Sequence, residues 1–441
     1  MKKTRTLSGF LAAIMIAVML LQIPSVEAYS ATTQRGSIAK GIDVSKYQGN
    51  IDWGKVAASG VKFAFIRIGT MIGGMDPYFL NNIQQAQAHG IQVGVYIYSY
   101  AKNVNEATVE AMLVTQWLSA FGLQLPVAYD VEDKVHQNIP PAELANMINT
   151  FCILVDAAGY TPIVYTYKNF YQSKIGATLW DKWIAQYGDS LNMPDSVAFW
   201  QYSSNGSVPG INGRVDMNYQ YKDYSKTIIK DGFIAHNGST RFYNNWKMQI
   251  GWIEYQGKKY FSDVYGYITK GWFASPEGMY FFDLTDGAMQ TGLVDVSGLK
   301  FYFGENGIQQ YGFVDYGAGN KYFDPLMNGA MATTWFAYDG KMHYADKDGN
   351  QAIGKTTIEK ADYFFKEDGS LAINETVVID GASYIADATG VLTLVPVLAP
   401  EGGEGVKPMT AEEIQAAAAT GQYTAEELYQ MALDSLVASG S

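Results

Sequence analysis

The order of apolar and polar residues in the first half of the chain predicts short strands that alternate with helices. Compact apolar runs, typical of strands covered on both faces, are separated by stretches with helical periodicity. The predicted strands are residues 41–45, 63–69, 92–100, 127–132 and 163–167, and the predicted helices are residues 52–58, 77–89, 106–121 and 141–158. This alternation predicts a parallel sheet with right-handed crossovers, either closed as a barrel or doubly wound.

The following stretch has a different pattern. Residues 182–187, 197–202 and 214–219 also resemble strands, but the segments between them are too short for a helical crossover, which needs about a dozen residues. We therefore expect an α/β fold in which a compact, TIM-like (β/α)5β3 barrel closes with strands joined by plain loops. Its span, residues 41–224, is shorter than the roughly 250 residues typical of a full alternating barrel.

Two carboxylates at the end of the fourth predicted strand are expected to share one face. Side chains alternate along a strand, so Asp130 and Glu132 point the same way while Val131 points the other way. Their spacing is roughly 7 Å, which lets each perturb the proton affinity of the other. Such a pair can divide the roles of acid and charge stabiliser. The alternative is a strand that runs out into a solvated acidic loop, and this is the reading we favour for Asp133.

Polar residues end most of the predicted strands, and in a parallel barrel these ends form one mouth. They are Asp43, Arg67, Tyr98, Tyr100, Asp130, Glu132, Tyr165, Tyr167, Gln186, Tyr187, Gln201, Tyr202 and Asp216. Carboxylates among aromatic rings suit a carbohydrate, whose C–H faces stack on rings while its hydroxyl and acetamide groups form hydrogen bonds. Some of the tyrosines could instead be ordinary barrel filling. The candidate substrate-binding residues are Arg67, Tyr98, Tyr129, Tyr165 and Gln201.

After Tyr221 the chain becomes a repeat array with a period of about 20 residues. Glycine followed by an aromatic or apolar residue recurs at Gly251-Trp252, Gly271-Trp272, Gly292-Leu293 and Gly312-Phe313, with weaker copies at residues 334–335, 354–355 and 374–375. Each unit also holds an aromatic pair and a turn dipeptide: Asp286-Gly287, Asn306-Gly307, Asn328-Gly329, Asp348-Gly349 or Asp368-Gly369. Two short strands around such a turn make a β-hairpin, and single hairpins must stack to be stable, so we expect a solenoid.

Composition and charge place the chain outside several classes. With 441 residues, 48% hydrophobic and 17% charged, it can bury substantial cores. Residues 1–28 read as a signal peptide, with a basic start, an apolar run over residues 10–21 and a small-residue cleavage site at Val26-Glu27-Ala28. The run is short for a membrane anchor, so we expect no membrane association after cleavage. Cleavage changes the formal net charge from −12 to −14, which disfavours a nucleic-acid partner.

The remaining chemistry-bearing residues support neither a metal nor a cofactor. Cys152 is the single cysteine, so an intramolecular disulfide is impossible, and its apolar helical setting predicts a buried structural thiol. The four histidines have no ligand spacing. The predicted divisions are a signal peptide at residues 1–28, a linker at 29–40, a barrel at 41–224, repeats at 228–394, and a linker with a helical tail at 395–441.

The motifs of the barrel resemble the glycoside hydrolase family 25 lysozymes, the Chalaropsis-type muramidases. The resemblance covers roughly residues 40–222 and rests on Gly41-Ile42-Asp43-Val44-Ser45-Lys46-Tyr47-Gln48-Gly49, Ile51-Asp52-Trp53, Tyr129-Asp130-Val131-Glu132, Trp200-Gln201-Tyr202 and Val215-Asp216-Met217-Asn218. It implies cleavage of the β-1,4 bond between N-acetylmuramic acid and N-acetylglucosamine in peptidoglycan. It also implies Glu132 as general acid, Asp130 as its neighbouring carboxylate, and Asp43 and Asp216 as the other two acids. Attack by a carboxylate and attack by the substrate's own acetamide both remain open, and we favour the acetamide.

The repeats resemble the cell-wall-binding repeats of choline-binding proteins over about residues 230–394. In that family aromatic cages hold a quaternary ammonium group, and the candidates here are Trp252, Trp272, Tyr280, Phe282, Tyr302 and Trp335. Leu293, Phe313 and Lys355 replace the expected tryptophan, so a polysaccharide ligand or a purely structural array is an alternative to choline. The combined expectation is a secreted, wall-associated muramidase, of a Gram-positive-type bacterium, that binds peptidoglycan. The alternatives are a chitin-type acetamido-glycan hydrolase and a wall-binding protein without turnover.

Overall fold

The structure is a computed structural model that describes residues 32–33, 36–193, 196–315 and 320–396, with residues 413, 416, 424, 426–431 and 433. The chain divides into two compact units, Met1–Gln310 and Tyr311–Ser441, and each is described by itself. The predicted signal peptide lies outside the described residues, as does most of the predicted helical tail. No helix in the described ranges has both the length and the hydropathy to cross a bilayer.

Eight strands close a barrel in the first unit, which confirms the predicted α/β class. They are β1 (Ala39–Val44), β2 (Phe63–Thr70), β3 (Gln92–Tyr98), β4 (Val127–Asp130), β5 (Pro162–Tyr167), β6 (Asp181–Ala185), β7 (Phe199–Gly206) and β8 (Val215–Gln220). The longer helices are α1 (Trp53–Ala58), α2 (Phe79–Ala88), α3 (Val104–Trp117) and α4 (Pro141–Ala157). Short helical turns lie at Lys46–Gln48, Lys134–Asn138, Lys168–Phe170 and Tyr171–Ile175, and short strands at Thr32–Thr33, Gly74–Met75 and Ser190–Leu191.

The barrel is mixed rather than wholly parallel. Strands β1 to β7 run parallel to their neighbours, whereas β8 runs antiparallel to both β7 and β1. The parallel sheet predicted from the strand–helix alternation is thus confirmed for β1 to β5, and β8 departs from it. The cause is the short connection from β7 to β8, residues 207–214, because a parallel return needs about a dozen residues or more.

Alternate residues of each strand divide the core into two layers. Inside the barrel, the ring of Phe65 stacks on Trp183 (4.3 Å between centroids) and meets Phe199 edge-on (4.9 Å). Gly41 and Gly94 make room for this filling, since a Cβ at either would lie 2.5 Å from a phenylalanine ring. The outer layer packs aliphatic strand residues against the helices and includes the buried thiol of Cys152, as predicted.

Eight two-stranded hairpins follow the barrel in the described residues. Those of the first unit are Gly232–His236 with Ser239–Asn244, Gly251–Tyr255 with Lys258–Ser262, Gly271–Ser275 with Gly278–Phe282, and Gly292–Val296 with Leu299–Phe303. Those of the second unit are Gly312–Asp315 with Asn320–Asp324, Trp335–Tyr338 with Lys341–Tyr344, Gly354–Ile358 with Ala361–Phe365, and Glu375–Ile379 with Ala382–Ala386. The predicted hairpins are thus confirmed, and in the second to fifth hairpins the first strand begins at a glycine that is followed by an aromatic residue or, in the fourth, by Leu293.

The turns inside the hairpins differ from the prediction. The Asp-Gly and Asn-Gly dipeptides, which were predicted to lie inside the hairpins, follow the second strands and lead to the next hairpin. There an aspartate side chain captures the backbone, as when Asp346 Oδ1 accepts the N–H groups of Asp348 (2.8 Å) and Asn350 (2.9 Å). Residues with positive φ at both central positions close six of the hairpins: Asn237-Gly238, Gln256-Gly257, Ser297-Gly298, Asp339-Gly340, Glu359-Lys360 and Asp380-Gly381.

The Glu359-Lys360 turn generates a stability prediction. Lys360 has φ +77°, where the other five turns have glycine, and a side chain in this left-handed region costs about 1 kcal/mol. We expect Lys360→Gly to raise the apparent unfolding temperature of the full chain in a thermal scan. Thr376→Gly, at an exposed strand position of the same unit, should lower it, because glycine weakens a strand interior. A decrease for both variants would contradict the assignment of strain to the turn.

Candidate active site

Asp43 and Asp216 lie directly opposite each other on the antiparallel strands β1 and β8, so their side chains share a face. Asp43 is buried, and its Oδ2 accepts hydrogen bonds from Gln201 Nε2 (3.0 Å) and Asn218 Nδ2 (2.7 Å). Burial, and then the charge of Asp216, raise the pKa of Asp43 well above its usual value. Burial also raises the pKa of Asp216. The pair therefore retains a proton more readily than two separate carboxyl groups would.

Asp130 is the last residue of β4 and is only 3% exposed. Burial raises its pKa well above the usual range, and the negative charges of Glu132 and Asp43 add to this, while Arg67 opposes it. Within the described part of the chain, no group donates a hydrogen bond to Asp130 Oδ1. A buried carboxylate oxygen without a donor is costly, so this atom is suited to accept a hydrogen bond from a bound molecule.

Glu132 lies two residues beyond the end of β4, which is shorter than the strand predicted to end at 132. Burial raises its pKa to about 6, and the charge of Asp216 is the next largest cause, so Glu132 lies within electrostatic reach of the other acids. A hydrogen bond with Tyr165 acts in the opposite direction and favours the carboxylate. Glu132 is thus a half-buried carboxyl group that titrates near neutral pH, which is the condition for a general acid.

Two neutral amides connect the acids to the aromatic residues of the barrel. Gln201 donates to Asp43 and accepts the hydroxyl of Tyr165 (3.0 Å between oxygens). Asn218 likewise donates to Asp43 while its Oδ1 accepts the indole N–H of Trp183 (2.8 Å). Asn218 belongs to a motif in the sequence analysis but was not among the predicted site residues. The signal was available, since Asn218 is two residues beyond Asp216 on the same face of β8.

Arg67 reaches the cluster but is bound to a residue that the sequence analysis did not select. Its Nε and Nη2 donate to Asp76 Oδ2 at 2.9 and 2.7 Å, and the same oxygen accepts the backbone N–H of Lys46 (2.9 Å). Asp76 is buried, and a single aspartate in a connecting loop gives no signal in one sequence. Arg67 is therefore fixed at the edge of the mouth, where its charge acts on Asp130.

Tyr98 and Asp133 form one side of the mouth. The Tyr98 hydroxyl donates to Asp133 Oδ2 (3.0 Å), and its ring lies 5.1 Å from that of Tyr100. Asp133 Oδ1 also accepts the N–H of Val135 at the start of the Lys134–Asn138 turn. Asp133 thus holds the loop that follows Glu132, a contact that the expectation of a solvated loop residue did not include.

Tyr129 is not brought to the cluster with the other candidates. Its ring is fully buried in the outer layer, stacked on Phe151 at 4.0 Å, and its hydroxyl donates to Glu110 Oε2 (2.8 Å). The reason is parity, because the residue before Asp130 must face the helices if Asp130 faces the barrel interior. Tyr129 therefore supports the wall of the site from behind.

Glu110 is the centre of a buried network that the sequence analysis missed. It lies on α3 and accepts hydrogen bonds from Ser99 Oγ (2.7 Å), Tyr129 and the N–H of Tyr100 (2.9 Å), and burial raises its pKa. His136, also buried, contacts Ser99 Oγ at 3.4 Å. Helical spacing could have indicated Glu110, since it falls on the buried stripe with Ala107, Ala111 and Val114. The network ties the end of β3 to the loop after Glu132.

No group of histidine, cysteine, aspartate and glutamate residues in the described ranges is arranged to hold a metal ion. The arrangement at the mouth is instead four carboxyl groups with raised pKa values beside hydroxyl and amide groups. It can donate a proton, stabilise a developing positive charge and bind a polar, hydroxyl-rich molecule.

Three hairpins carry a tryptophan in the same aromatic setting. Trp252 lies 5.3 Å from Phe261 on its own hairpin and 5.2 Å from Tyr280 on the next, and it is 47% exposed. Trp272 is 40% exposed and lies against Phe281 and Phe301 in the same way, and in the second unit Trp335 lies against Tyr344 and Tyr363. Tyr280 is buried and forms one side of the aromatic group around Trp252. Tyr302 lies across from Leu293, at the position that Phe281 takes opposite Trp272.

Comparisons with known proteins place the barrel in a family. Residues 42–211 match the family described as "Glycosyl hydrolases family 25". The "Autolytic lysozyme" of Clostridium acetobutylicum is 32% identical over 199 residues, which are 44% of this chain and 59% of that protein. The "Uncharacterized protein YegX" of Escherichia coli is 34% identical over 188 residues, 40% of this chain and 68% of that protein.

Two solved structures are similar to part of the chain. One is the modular autolysin LytC from Streptococcus pneumoniae (30% identity, TM-score 0.38, covering 42% of this chain and 46% of that one). The other is the bacterial lysozyme from Streptomyces coelicolor (25% identity, TM-score 0.37, 43% and 94%). The match to the autolytic lysozyme covers 59% of that protein's length, and the match to YegX, at 34% identity, covers 68% of its length. By its barrel, the chain belongs to glycosyl hydrolase family 25.

Proposed function

We propose that this protein hydrolyses peptidoglycan by cleaving the β-1,4 bond between N-acetylmuramic acid and N-acetylglucosamine. The observation that carries the proposal is Glu132, a carboxyl group whose pKa is raised to about 6 beside three further acids. Such a group holds a proton near neutral pH, as protonation of a glycosidic oxygen requires. The family and the lysozyme among the relatives support the same reaction.

In the proposed mechanism Glu132 donates its proton to the glycosidic oxygen, and the bond from that oxygen to the anomeric carbon breaks. Positive charge develops on the sugar ring, and the substrate's own acetamide oxygen closes on the anomeric carbon to form a cyclic intermediate. Glu132, now a carboxylate, removes a proton from the water that opens this intermediate, which restores the acid. The product is a new reducing end with retained configuration.

Asp130 is assigned to the acetamide of the substrate. Burial favours a proton on Asp130 in the free protein, but an acetamide N–H donated to Oδ1 stabilises the carboxylate form. The carboxylate then increases the nucleophilicity of the acetamide oxygen, and the remaining proton of the pair stays on Glu132. Asp43 and Asp216 hold the opposite side of the sugar, with Arg67, Tyr98, Tyr165 and Gln201 as candidate contacts to its hydroxyl groups.

We propose that the repeats bind the cell wall through the exposed Trp252 and Trp272 and the partly buried Trp335. Trp252, Trp272 and Trp335 each offer a ring edged by aromatics of two hairpins, a geometry that suits a quaternary ammonium group such as choline, or a sugar face. The seventh hairpin is different, because Lys355 takes the tryptophan position and its ammonium lies 4.7 Å from the ring of Tyr384. The Lys355 ammonium thus takes the place of a bound cation beside that ring, and the aromatic groups around Trp252, Trp272 and Trp335 are left as candidate sites.

The finer architecture belongs to the same proposal. We assign a compact (β/α)5β3 barrel to residues 41–224 and a stacked solenoid to residues 228–394, after a signal peptide at 1–28 and a linker at 29–40, with a linker and helical tail at 395–441. The predicted signal peptide and the repeats support a secreted, wall-associated protein, and its single cysteine excludes an intramolecular disulfide.

Glu132→Gln is expected to abolish hydrolysis while wall binding is kept, because the amide cannot donate the required proton. The measurement is the appearance of new reducing ends in purified peptidoglycan, with identification of the sugar that carries them. Glu143→Gln makes the same chemical change at the exposed start of α4 and should leave turnover unchanged. N-Acetylglucosamine ends would point to another glycan hydrolase. Wall binding without new ends from the unmodified chain would support a binding protein.

The raised pKa of Glu132 also predicts a pH-dependent cost in stability. A carboxyl group whose pKa is higher in the folded than in the unfolded state stabilises the fold below the unfolded value, about 4.5, and this contribution is lost as the pH rises through about 6. Glu132→Gln should therefore match the wild type at pH 4.5 and exceed it at pH 7.5, by on the order of 1 kcal/mol, in thermal scans. Glu143→Gln should show the wild-type pH dependence. Lower stability of Glu132→Gln at pH 7.5 would contradict the assignment.

The role of the exposed tryptophans is tested by replacing Trp252 and Trp272 with alanine together. We expect weaker sedimentation with insoluble walls and unchanged turnover of soluble glycan fragments. Addition of free choline separates the ligands, since it should release the wild type only if the cages hold a quaternary ammonium group. Wild-type sedimentation of the double variant would assign these rings to packing alone.

A further inference from the structure

The first hairpin differs from the other three hairpins of its unit in where it packs. It consists of Gly232–His236 and Ser239–Asn244, and a tight turn leads on to the short strand Lys247–Met248. We call residues 232–248 the junction hairpin. We propose that it is a docking element that fixes the hairpins of the first unit to the barrel at the end opposite the acid cluster.

Polar contacts join the junction hairpin to two connections of the barrel. The Tyr243 hydroxyl donates to the carbonyl of Gly159 (3.0 Å), after α4, and the Lys247 ammonium donates to the carbonyl of Ser119, after α3. His236 Nε2 lies 3.0 Å from Asp156 Oδ2 near the end of α4. These barrel residues all precede β4 or β5, whereas Asp130 ends β4. The contact is therefore at the amino end of the barrel, and the acids lie at the carboxyl end.

A buried charge adds to this contact. Arg241 is only 2% exposed, and its nearest carboxylate is Asp156 of the barrel, with Nη2 3.7 Å from Oδ2. Its Nε donates to the carbonyl of Tyr265 (3.1 Å), and its guanidinium lies 5.0 Å from the ring of Tyr267, both beyond the second hairpin. A buried arginine needs these partners, so it joins the barrel, the junction hairpin and the next repeat in one network.

Close approach of the two surfaces excludes any side chain at Gly122. A Cβ at this residue would lie 2.2 Å from the carbonyl oxygen of Asn245 and 2.9 Å from Cβ of Trp246. Gly122 does not have the positive φ that would itself call for glycine. Its lack of a side chain is explained by the hairpin that lies against it.

Trp246 is held against the barrel in an unfavourable backbone conformation. Both central residues of the turn have positive φ, +52° at Asn245 and +59° at Trp246, and a bulky residue is rare there. Trp246 lines a small cavity together with barrel residues Leu123, Leu125 and Tyr160. Strain of this kind persists where surrounding contacts hold it. The contact with the barrel, rather than turn geometry, accounts for tryptophan at this position.

The junction hairpin also lacks the exposed tryptophan of the following repeats. Phe233 takes the position of Trp252, and its ring packs between Phe242 (4.8 Å) and Tyr260 (4.8 Å). Its aromatics therefore hold the next hairpin and do not form an exposed cage. By docking, the junction hairpin places the next hairpins of the first unit at the end of the barrel opposite the mouth. That this placement affects the digestion of walls rests on the proposed function, but the docking itself does not.

Glycine substitutions at Asn245 and Trp246 test the proposal, because they are expected to change the apparent unfolding temperature in opposite directions. Glycine should relieve the positive φ at either position, so Asn245→Gly is expected to raise the apparent unfolding temperature of the full chain by about 1–3 °C. If Trp246 docks on the barrel, Trp246→Gly should instead lower it by about 5 °C or more, since packing is lost. It should also speed tryptic cleavage at Lys226, Lys230 or Lys247 about tenfold or more. A rise in both variants, with unchanged cleavage, would overturn the proposal.

Hydrolysis provides a second readout that separates this inference from the proposed function. Trp246→Gly should keep wild-type turnover of soluble glycan fragments and lose at least about half of the rate on intact walls. An unchanged rate on walls, despite faster tryptic cleavage, would overturn the effect of hairpin placement on the digestion of walls. No hydrolysis by the wild-type chain would instead refute the proposed function, and the thermal comparison would still decide the docking.

Discussion

The acid cluster depends on one geometric constraint, the alternation of side chains along the strands of a closed barrel. The rings of Phe65, Trp183 and Phe199 fill the interior, so an inward polar residue can meet solvent only at the end of a strand. Asp43, Asp130 and Asp216 occupy such positions, at the boundary between an apolar filling and the mouth. There desolvation raises their pKa values, while a substrate can still reach them.

Neutral hydrogen-bond donors hold Asp43, and they lower its pKa less than burial and the charge of Asp216 raise it. Glutamine and asparagine each have a donor and an acceptor, so Gln201 and Asn218 can orient Asp43 while they bond to Tyr165 and Trp183 on the other side. A lysine or arginine in their place would orient the carboxylate equally well but would lower its pKa. Arg67, the positive charge that does reach the site, is bound mainly by Asp76. Neutral partners thus give order without neutralising the negative charge.

Residue patterns predicted those features that depend on short-range periodicity. Alternation along β4 accounts for Asp130 at the mouth, and the same rule, applied one residue earlier, would have excluded Tyr129 from it. Glu132 lies beyond the end of β4, so alternation does not account for its position. The short connections predicted loops between the last strands. They also imply that β8 runs antiparallel to β7, a conclusion that the sequence analysis did not reach. Asp-Gly and Asn-Gly dipeptides indicated turns, whereas a preceding aspartate, such as Asp346, decided which turns they form. Asp76 lies in a loop nine residues after Arg67, and the partners of Arg241 lie far from it in the chain, so no helical or strand period encodes either contact.

Departures from the repeat pattern carry as much information as the repeat itself. A hairpin is stable only when it stacks on its neighbours, and Tyr260, Tyr280 and Phe301 provide buried rings at the same second-strand position of three successive hairpins. The residue after the glycine that begins each first strand is not required for this stacking. This position holds an exposed tryptophan at Trp252 and Trp272, an inward phenylalanine at Phe233 and a lysine at Lys355 that contacts a neighbouring ring. The same hairpin framework therefore accommodates an exposed tryptophan, a phenylalanine packed between two rings or a lysine over a ring at this one position.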